Sequence, residues 1–234
     1  MLQSIIIPVS NISPQDKIDM LSLMSDYYEN VSEEQFLTDL EKKDCVIVIK
    51  EEGFLYGFST QVLLRRTIEG QNIRILFSGD TVIDKKHRNS FVLPLAWGKM
   101  MLSILKDQSD IPLYWLLTTK GYKTYRYLPV FFNDYFPSPT RKLTDFEANI
   151  LSHVGKELFN GKFDGNHWII HAKDKDQRLR PGVADITEAK RNKEEIAYFE
   201  KMNPNHPSGD ELVCLAQFKE QNLKPFILKR LLNS

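Results

Sequence analysis

Three extended segments follow one another between residues 45 and 83 with almost nothing to join them. Cys45-Val46-Ile47-Val48-Ile49 is a β-branched run, Glu51-Glu52-Gly53 reads as a turn, and Phe54 to Leu64 continues as a second strand containing Gly57. Gln71 marks the next turn, and Asn72 to Ile83 is the third strand. Links this short admit hairpins but no crossover, so the stretch predicts an antiparallel meander. A protein built around it needs helices to cover its apolar faces, and the flanking sequence supplies them.

Before the meander, Ser4 to Val9 reads as a short strand. A helix opens near Pro14, with Ile18, Leu21 and Met24 at helical spacing. A second helix opens at Ser32-Glu33-Glu34-Gln35, a capping-box pattern. After the meander, a helix with Pro94 near its start carries Leu95, Met101, Leu102 and Leu105, and Ile111 to Thr118 is a Leu-rich, aromatic strand. Tyr122 to Tyr127 starts a helix that Pro129 should end or kink. Farther on come a helical region over 143–160, a strand candidate at 167–171, a charged helix over 185–202 and a final strand at 211–218. No linker or repeat is visible. The expectation is one α/β domain over 1–234, with a core over 4–136 and a C-terminal elaboration of helices and strands over 137–234.

Charge narrows the function. Lys and Arg number 31, Asp and Glu number 31, and the net charge is zero. That excludes a field for coating DNA or an acidic membrane, even though 120–142 is basic and aromatic. The zero is a cancellation: residues 1–117 hold 12 basic against 16 acidic residues, and residues 118–234 hold 19 against 15. From Lys85 to Lys106 there are five cations and no acid, so an anionic ligand is expected there. Apolar runs fall short of a bilayer span, the Ile5-Ile6-Ile7 run lacks the flanks of a signal peptide, and the two cysteines make no disulfide framework. A cytoplasmic protein without a metal is expected; His167 and His171 share a strand face but lack a third ligand. Gly98-Lys99 is no P-loop, and no Gly-x-Ser-x-Gly elbow or Rossmann glycine triplet occurs.

The order strand, two helices, three-stranded meander, helix, strand, helix resembles the GNAT superfamily of N-acyltransferases over roughly residues 4–136. Gly79 lies inside the third meander strand, in Phe77-Ser78-Gly79-Asp80-Thr81-Val82, where a glycine marks a bulge or a close backbone approach. The resemblance implies that this strand splays from the next, so that backbone N–H groups of Val82 and Ile83 receive the donor's pantetheine arm and the oxyanion. The basic turn Lys85-Lys86-His87-Arg88-Asn89-Ser90 then faces a phosphate at a helix start. Thr118 and Tyr125 stand where such enzymes often carry an Asn and a Tyr, the Tyr serving as acid to the leaving thiolate.

The phosphate-loop glycines of the superfamily are missing, since Phe91 and Leu93 stand where small residues belong. Acyl-homoserine-lactone and N-acyl amino acid synthases resemble this pattern and imply acyl carrier protein as a donor alongside acyl-CoA. Such a carrier would meet Lys85, Lys86 and Arg88 at the surface. Asp80, beside the suspected bulge, is the first candidate for the base that deprotonates an amine acceptor, with His87 second. The expected activity is acyl transfer from an acyl-CoA or carrier-protein thioester to a small-molecule amine. The alternative is a catalytically inactive GNAT-like binding module. Acceptor identity, acyl length and oligomeric state are not encoded in any local motif.

Overall fold

The computed structural model describes residues 1–233. Its strands are β1 (Gln3–Pro8), β2 (Tyr28–Glu29), β3 (Cys45–Glu51), β4 (Phe54–Ile68), β5 (Gln71–Ile83), β6 (Leu113–Thr119), β7 (Phe163–Asp164), β8 (Ile169–Ile170), β9 (Arg178–Leu179) and β10 (Glu211–Gln217). Its helices are α1 (Pro14–Tyr27), α2 (Glu33–Leu40), α3 (Val92–Asp107), α4 (Tyr122–Tyr125), α5 (Tyr127–Phe131), α6 (Asp145–Leu158), α7 (Glu188–Arg191), α8 (Glu194–Met202) and α9 (Pro225–Leu232). Eight strands form one mixed sheet in the order β1-β3-β4-β5-β6-β10-β8-β7, while β2 and β9 pair separately. β3, β4 and β5 are the expected antiparallel meander, and β5 and β6 run parallel, joined through α3.

Alternation along the strands sorts the core. Ile47 and Ile49 of β3 and Leu113, Trp115 and Leu117 of β6 face α3 and the C-terminal helices. Val46, Val48, Phe58 and Val82 face α1 and α2, and Ile73, Ile75, Phe77, Tyr114 and Leu116 face α6. The sheet is therefore covered on both faces, with two separate helical layers sharing the second.

Several boundaries differ from the sequence reading, each for a local reason. The buried face of α1 is Met20, Leu23, Met24 and Tyr27, which leaves Ile18 60% exposed. The helix expected from Tyr122 breaks at Arg126 before Pro129 is reached. Pro129 sits in the first turn of α5, where its missing N–H has no helical partner to lose. Trp168 has φ 59°, so β8 begins only at Ile169 and His167 turns out of it to bond Asp164 at 2.7 Å. The charged helix over 185–202 is two helices, α7 and α8. The Thr144/Glu147 capping box holds the start of α6.

One buried ion fixes how α3 sits on the sheet. Arg74 of β5 is fully buried, and its guanidinium donates to the carbonyls of Ile104, Gln108 and Ile111 at and beyond the C-terminal turn of α3. These carbonyls lack other side-chain donors, and the cation suits that end of the helix dipole. Replacing Arg74 with Met should cost about 2–4 kcal/mol, because charged hydrogen bonds are lost inside the protein. Urea denaturation would read this as a lower midpoint with an unchanged slope.

Candidate active site

β5 and β6 are paired only from Arg74 with Leu113 to Ser78 with Leu117. Beyond that point β5 is held by β4 alone and β6 by β10 alone, so the two parallel strands part toward their C-terminal ends. A crevice at the carboxyl ends of parallel strands is where open α/β sheets take ligands. The cause lies in β5. Ser59 pairs with Thr81 and Gln61 with Ser78, so Gly79 and Asp80 together oppose the single residue Thr60. That is the bulge Gly79 implied. A Cβ on Gly79 would lie 2.7 Å from Thr60 Oγ1 and 3.2 Å from Lys43 Cε, so glycine is required by the close approach.

A buried hydrogen-bond relay brackets the bulge. Trp115 Nε1 donates to Ser78 Oγ (2.9 Å), which donates to Gln61 Oε1 (2.7 Å). Gln61 Nε2 donates to Ser59 Oγ (2.7 Å), Ser59 lies 2.7 Å from Thr81 Oγ1, and Thr81 donates to the Gly79 carbonyl (3.2 Å). With obligate donors upstream and a carbonyl at the end, the Ser59 proton must point to Thr81.

Which amides face the opening follows from register. Asp84 N donates to Tyr56 O at 2.8 Å, so by alternation the Val82 amide also faces β4, and those of Thr81 and Ile83 face the gap. Of the two expected backbone donors, Val82 is therefore engaged in the sheet and Ile83 is open. Thr81 joins it, a consequence of the bulge that the sequence alone did not reveal.

Two cavities meet at this opening and share Thr81 and Thr124 as wall. The larger, about 320 Å³, is walled by α1 and α2, by the bulge, by Thr118 and Lys120, and by residues between 159 and 184 that cover it. The smaller, about 40 Å³, is largely apolar, with Leu93, Pro94, Trp97, Trp115, Tyr127 and Phe131 around it. The Trp97 indole N–H, buried within this wall, has no hydrogen-bond partner among the described residues. Of the expected aromatic cluster, Phe131 reaches this wall, while Phe132, Tyr135 and Phe136 are core.

Asp80 projects into the large cavity and is the carboxylate there without a hydrogen bond or ion pair among the described residues. Burial, with Asp39 nearby, pushes it up to about 6, against the pull of Lys43 and Lys120. The other acids are matched: Asp39 with Lys43 at 2.8 Å, Asp176 with Lys162 at 2.6 Å, and Glu211 with Lys120. Burial works against the Glu211 charge, but Lys120 and the Thr118 hydroxyl outweigh it and hold that carboxyl below its usual range. His171, at the rim, bonds buried Asp210 at 3.0 Å. From the loop over 203–210, Gly209 alone reaches the cavity, so the cover belongs to the segment before it.

The remaining expected residues separate. Tyr125 is fully buried, donates to the Pro137 carbonyl at 2.8 Å and borders neither cavity; Tyr127, two residues on, lines the smaller one. His87 packs against Tyr56 with ring centroids 4.5 Å apart and the rings tilted by 58°, and it lines neither cavity. Lys85, Lys86 and Asn89 are exposed on the turn, Ser90 is half-buried, and Arg88 folds inward over the Tyr27 ring at 4.6 Å. The turn uses its own amides: Lys85 N donates to Tyr27 Oη, Lys86 N to Asp84, His87 N to the Asp84 carbonyl and Ser90 N to the His87 carbonyl. At the start of α3, Phe91 stacks on Phe131 at 5.9 Å, and Arg230 of α9 covers it at 4.2 Å. Burial pushes the Cys45 thiol up to about 11. No cluster of metal-ligating side chains occurs among the described residues, and no described helix is long and apolar enough to cross a membrane.

The fold is GNAT-like. Element order, bulge and parting strands are those the resemblance implied, followed by an elaboration that extends the same sheet through β10, β8 and β7. No family model and no curated protein matches the sequence. Among solved structures, a conserved Enterococcus faecalis V583 protein given as a probable N-acyltransferase is 14% identical with a TM-score of 0.42, covering 58% of this chain and 33% of its own. A GCN5-related N-acetyltransferase from Kribbella flavida is 12% identical, TM-score 0.41, covering 57% and 34%. A GNAT family N-acetyltransferase from Escherichia coli in complex with CoA is 14% identical, TM-score 0.38, covering 56% and 69%. The chain thus spans about a third of the length of the first two. Overlap at this level leaves function to be argued from this chain's own residues.

An unpaired, desolvated carboxylate is a liability for stability. Asp80 carries a raised value in the folded state, so its charge opposes folding above about pH 6, and the penalty fades as pH falls toward the unfolded value near 3.8. Asp80→Asn should therefore stabilise the protein by about 1–3 kcal/mol at pH 7.5 and by much less near pH 4. Thermal melts across that range would show the gap closing; a gap independent of pH would refute the buried charge.

Proposed function

We propose that the protein is an N-acyltransferase that moves an acyl group from a thioester donor to an amine. The observation that carries this reading is the junction of the two cavities at Thr81 and Thr124, with Asp80 on the bulge beside it. One side is apolar and the other charged, which suits a thioester arriving from one and an ammonium from the other.

In the reaction, Asp80 takes a proton from the ammonium, and a value near 6 leaves it ionised yet basic enough at neutral pH. The amine nitrogen attacks the thioester carbonyl, and the Thr81 and Ile83 amides donate to the oxygen that becomes negative. Collapse breaks the carbon–sulfur bond, the departing thiolate takes the nitrogen's second proton to become a thiol, and Asp80 returns its own proton to solvent. Tyr127, whose phenol burial holds in the protonated form, stands on the donor side in place of Tyr125. The products are an amide and a free thiol.

The donor is acyl-CoA or an acyl carrier protein. Four of the six amides over 85–90 are engaged and Arg88 folds toward the large cavity, so phosphate contacts fall to the side chains of Lys85 and Lys86 and to few backbone groups. That arrangement suits the single phosphate of a carrier-borne pantetheine arm at least as well as a diphosphate. The narrow donor-side cavity favours one rival, a GNAT-like module that binds without turnover.

Thiol release measured with acetyl-CoA, long-chain acyl-CoA and acyl carrier protein against a broad amine panel decides between them. Turnover is expected with at least one donor. Asp80→Asn should lower kcat about 10²–10⁴-fold, and kcat/KM of the wild type should fall as pH drops through about 6. Silence with every donor and amine would leave the binding module.

A further inference from the structure

The large cavity is electrically lopsided. Of its carboxylates, Asp39, Asp176 and Glu211 are each neutralised by a lysine, and Asp80 is not. Two of its cations are also left over. Arg88 spends its Nε on the Ile83 carbonyl at 3.2 Å and its face on Tyr27, and the Lys123 ammonium donates to the Val183 carbonyl. Neither is in an ion pair among the described residues, although both line the cavity. Burial, Arg88 and Lys190 together hold the Lys123 ammonium below its usual range, and Asp185 offsets this only in part. Tyr28 lines the same cavity, within reach of the charges of Asp80, Glu211 and Arg88.

We propose that this cavity takes a zwitterionic acceptor, an amino carboxylate whose ammonium meets Asp80 and whose carboxylate meets Arg88 and Lys123. This deepens, and rests on, the acyl-transfer reading of the same site. A simple amine satisfies Asp80 and leaves Arg88 and the solvent-reached Lys123, whose charges oppose each other, without an anion. An acid without an amine satisfies the cations and repels Asp80. The amino carboxylate alone pairs both ends, and a covered cavity of about 320 Å³ accommodates a molecule of that size. Discrimination then comes from the charges left unpaired by the wrong ligand, a stronger filter than shape.

The anion at Arg88 and Lys123 has one other source, a phosphate of the donor, and the test separates the two. Calorimetry on the full-length protein, with and without CoA, would compare leucine with isoamylamine and isocaproate, and γ-aminobutyrate with propylamine and butyrate. At least one amino carboxylate should bind about tenfold or more tighter than both its relatives. Lys123→Met should abolish that preference and raise the acceptor KM, leaving the donor KM unchanged, and Lys123→Arg should restore it. An amine binding as well as its amino carboxylate would overturn the proposal, as would a Lys123→Met defect confined to the donor KM. Were Lys123→Met not to fold, the wild-type comparison decides by itself. A binding preference without turnover would refute acyl transfer and leave the ligand class standing; turnover of simple amines without the preference would do the reverse.

Discussion

The two-residue bulge at Gly79 and Asp80 is the constraint from which the rest of the site follows. It sits where β5 stops pairing with β6, and it turns three consequences out of one inserted residue. The strands part, the amide phase shifts so that Thr81 and Ile83 face the gap, and a carboxylate lands at the mouth. The relay from Trp115 and Gln61 through Ser59 to Thr81 and the Gly79 carbonyl fixes this geometry from beneath with buried hydroxyls, each satisfied in one direction. The bulge is thus built into the core and does not depend on the loop that follows it.

Electrostatics divides the crevice in a way the net charge of zero conceals. Lysines in the turn after α2, after β6 and just before β7 neutralise three of the cavity's four described acids and leave Asp80 facing the cavity. The same selective pairing leaves Arg88 and Lys123 uncompensated at the other end. Stability would favour pairing all of them. A site that withholds partners from one acid and two cations keeps the differences in charge available for a ligand.

Much of this was legible in the sequence because it is local. The meander follows from short links, the bulge from Gly79 inside a β-branched strand, and Asp80 from its neighbour. What was not legible is tertiary. Tyr125 sat at the expected spacing, but the helix breaks at Arg126, so its hydroxyl points into the core at Pro137 and Tyr127 takes the cavity wall. Val82 lay beside the bulge, yet its amide faces β4, because the extra residue sets the phase of every amide after it. His87 and the turn amides were plausible ligands until Tyr56, Tyr27 and Asp84 were seen to occupy them. The cover over 159–184 comes from far along the chain, and Lys120 and Glu211 pair across 91 positions, which no spacing rule reaches.

The central claim is that the gap between β5 and β6 receives the donor's thioester arm through two particular amides. Amide hydrogen exchange, resolved residue by residue with and without a bound acyl thioester, tests it most directly. The account predicts new protection at Thr81 and Ile83 with Val82 unchanged, since Val82 is already paired with β4. Protection confined to the exposed turn over 85–90, with Thr81 and Ile83 exchanging as before, would contradict it.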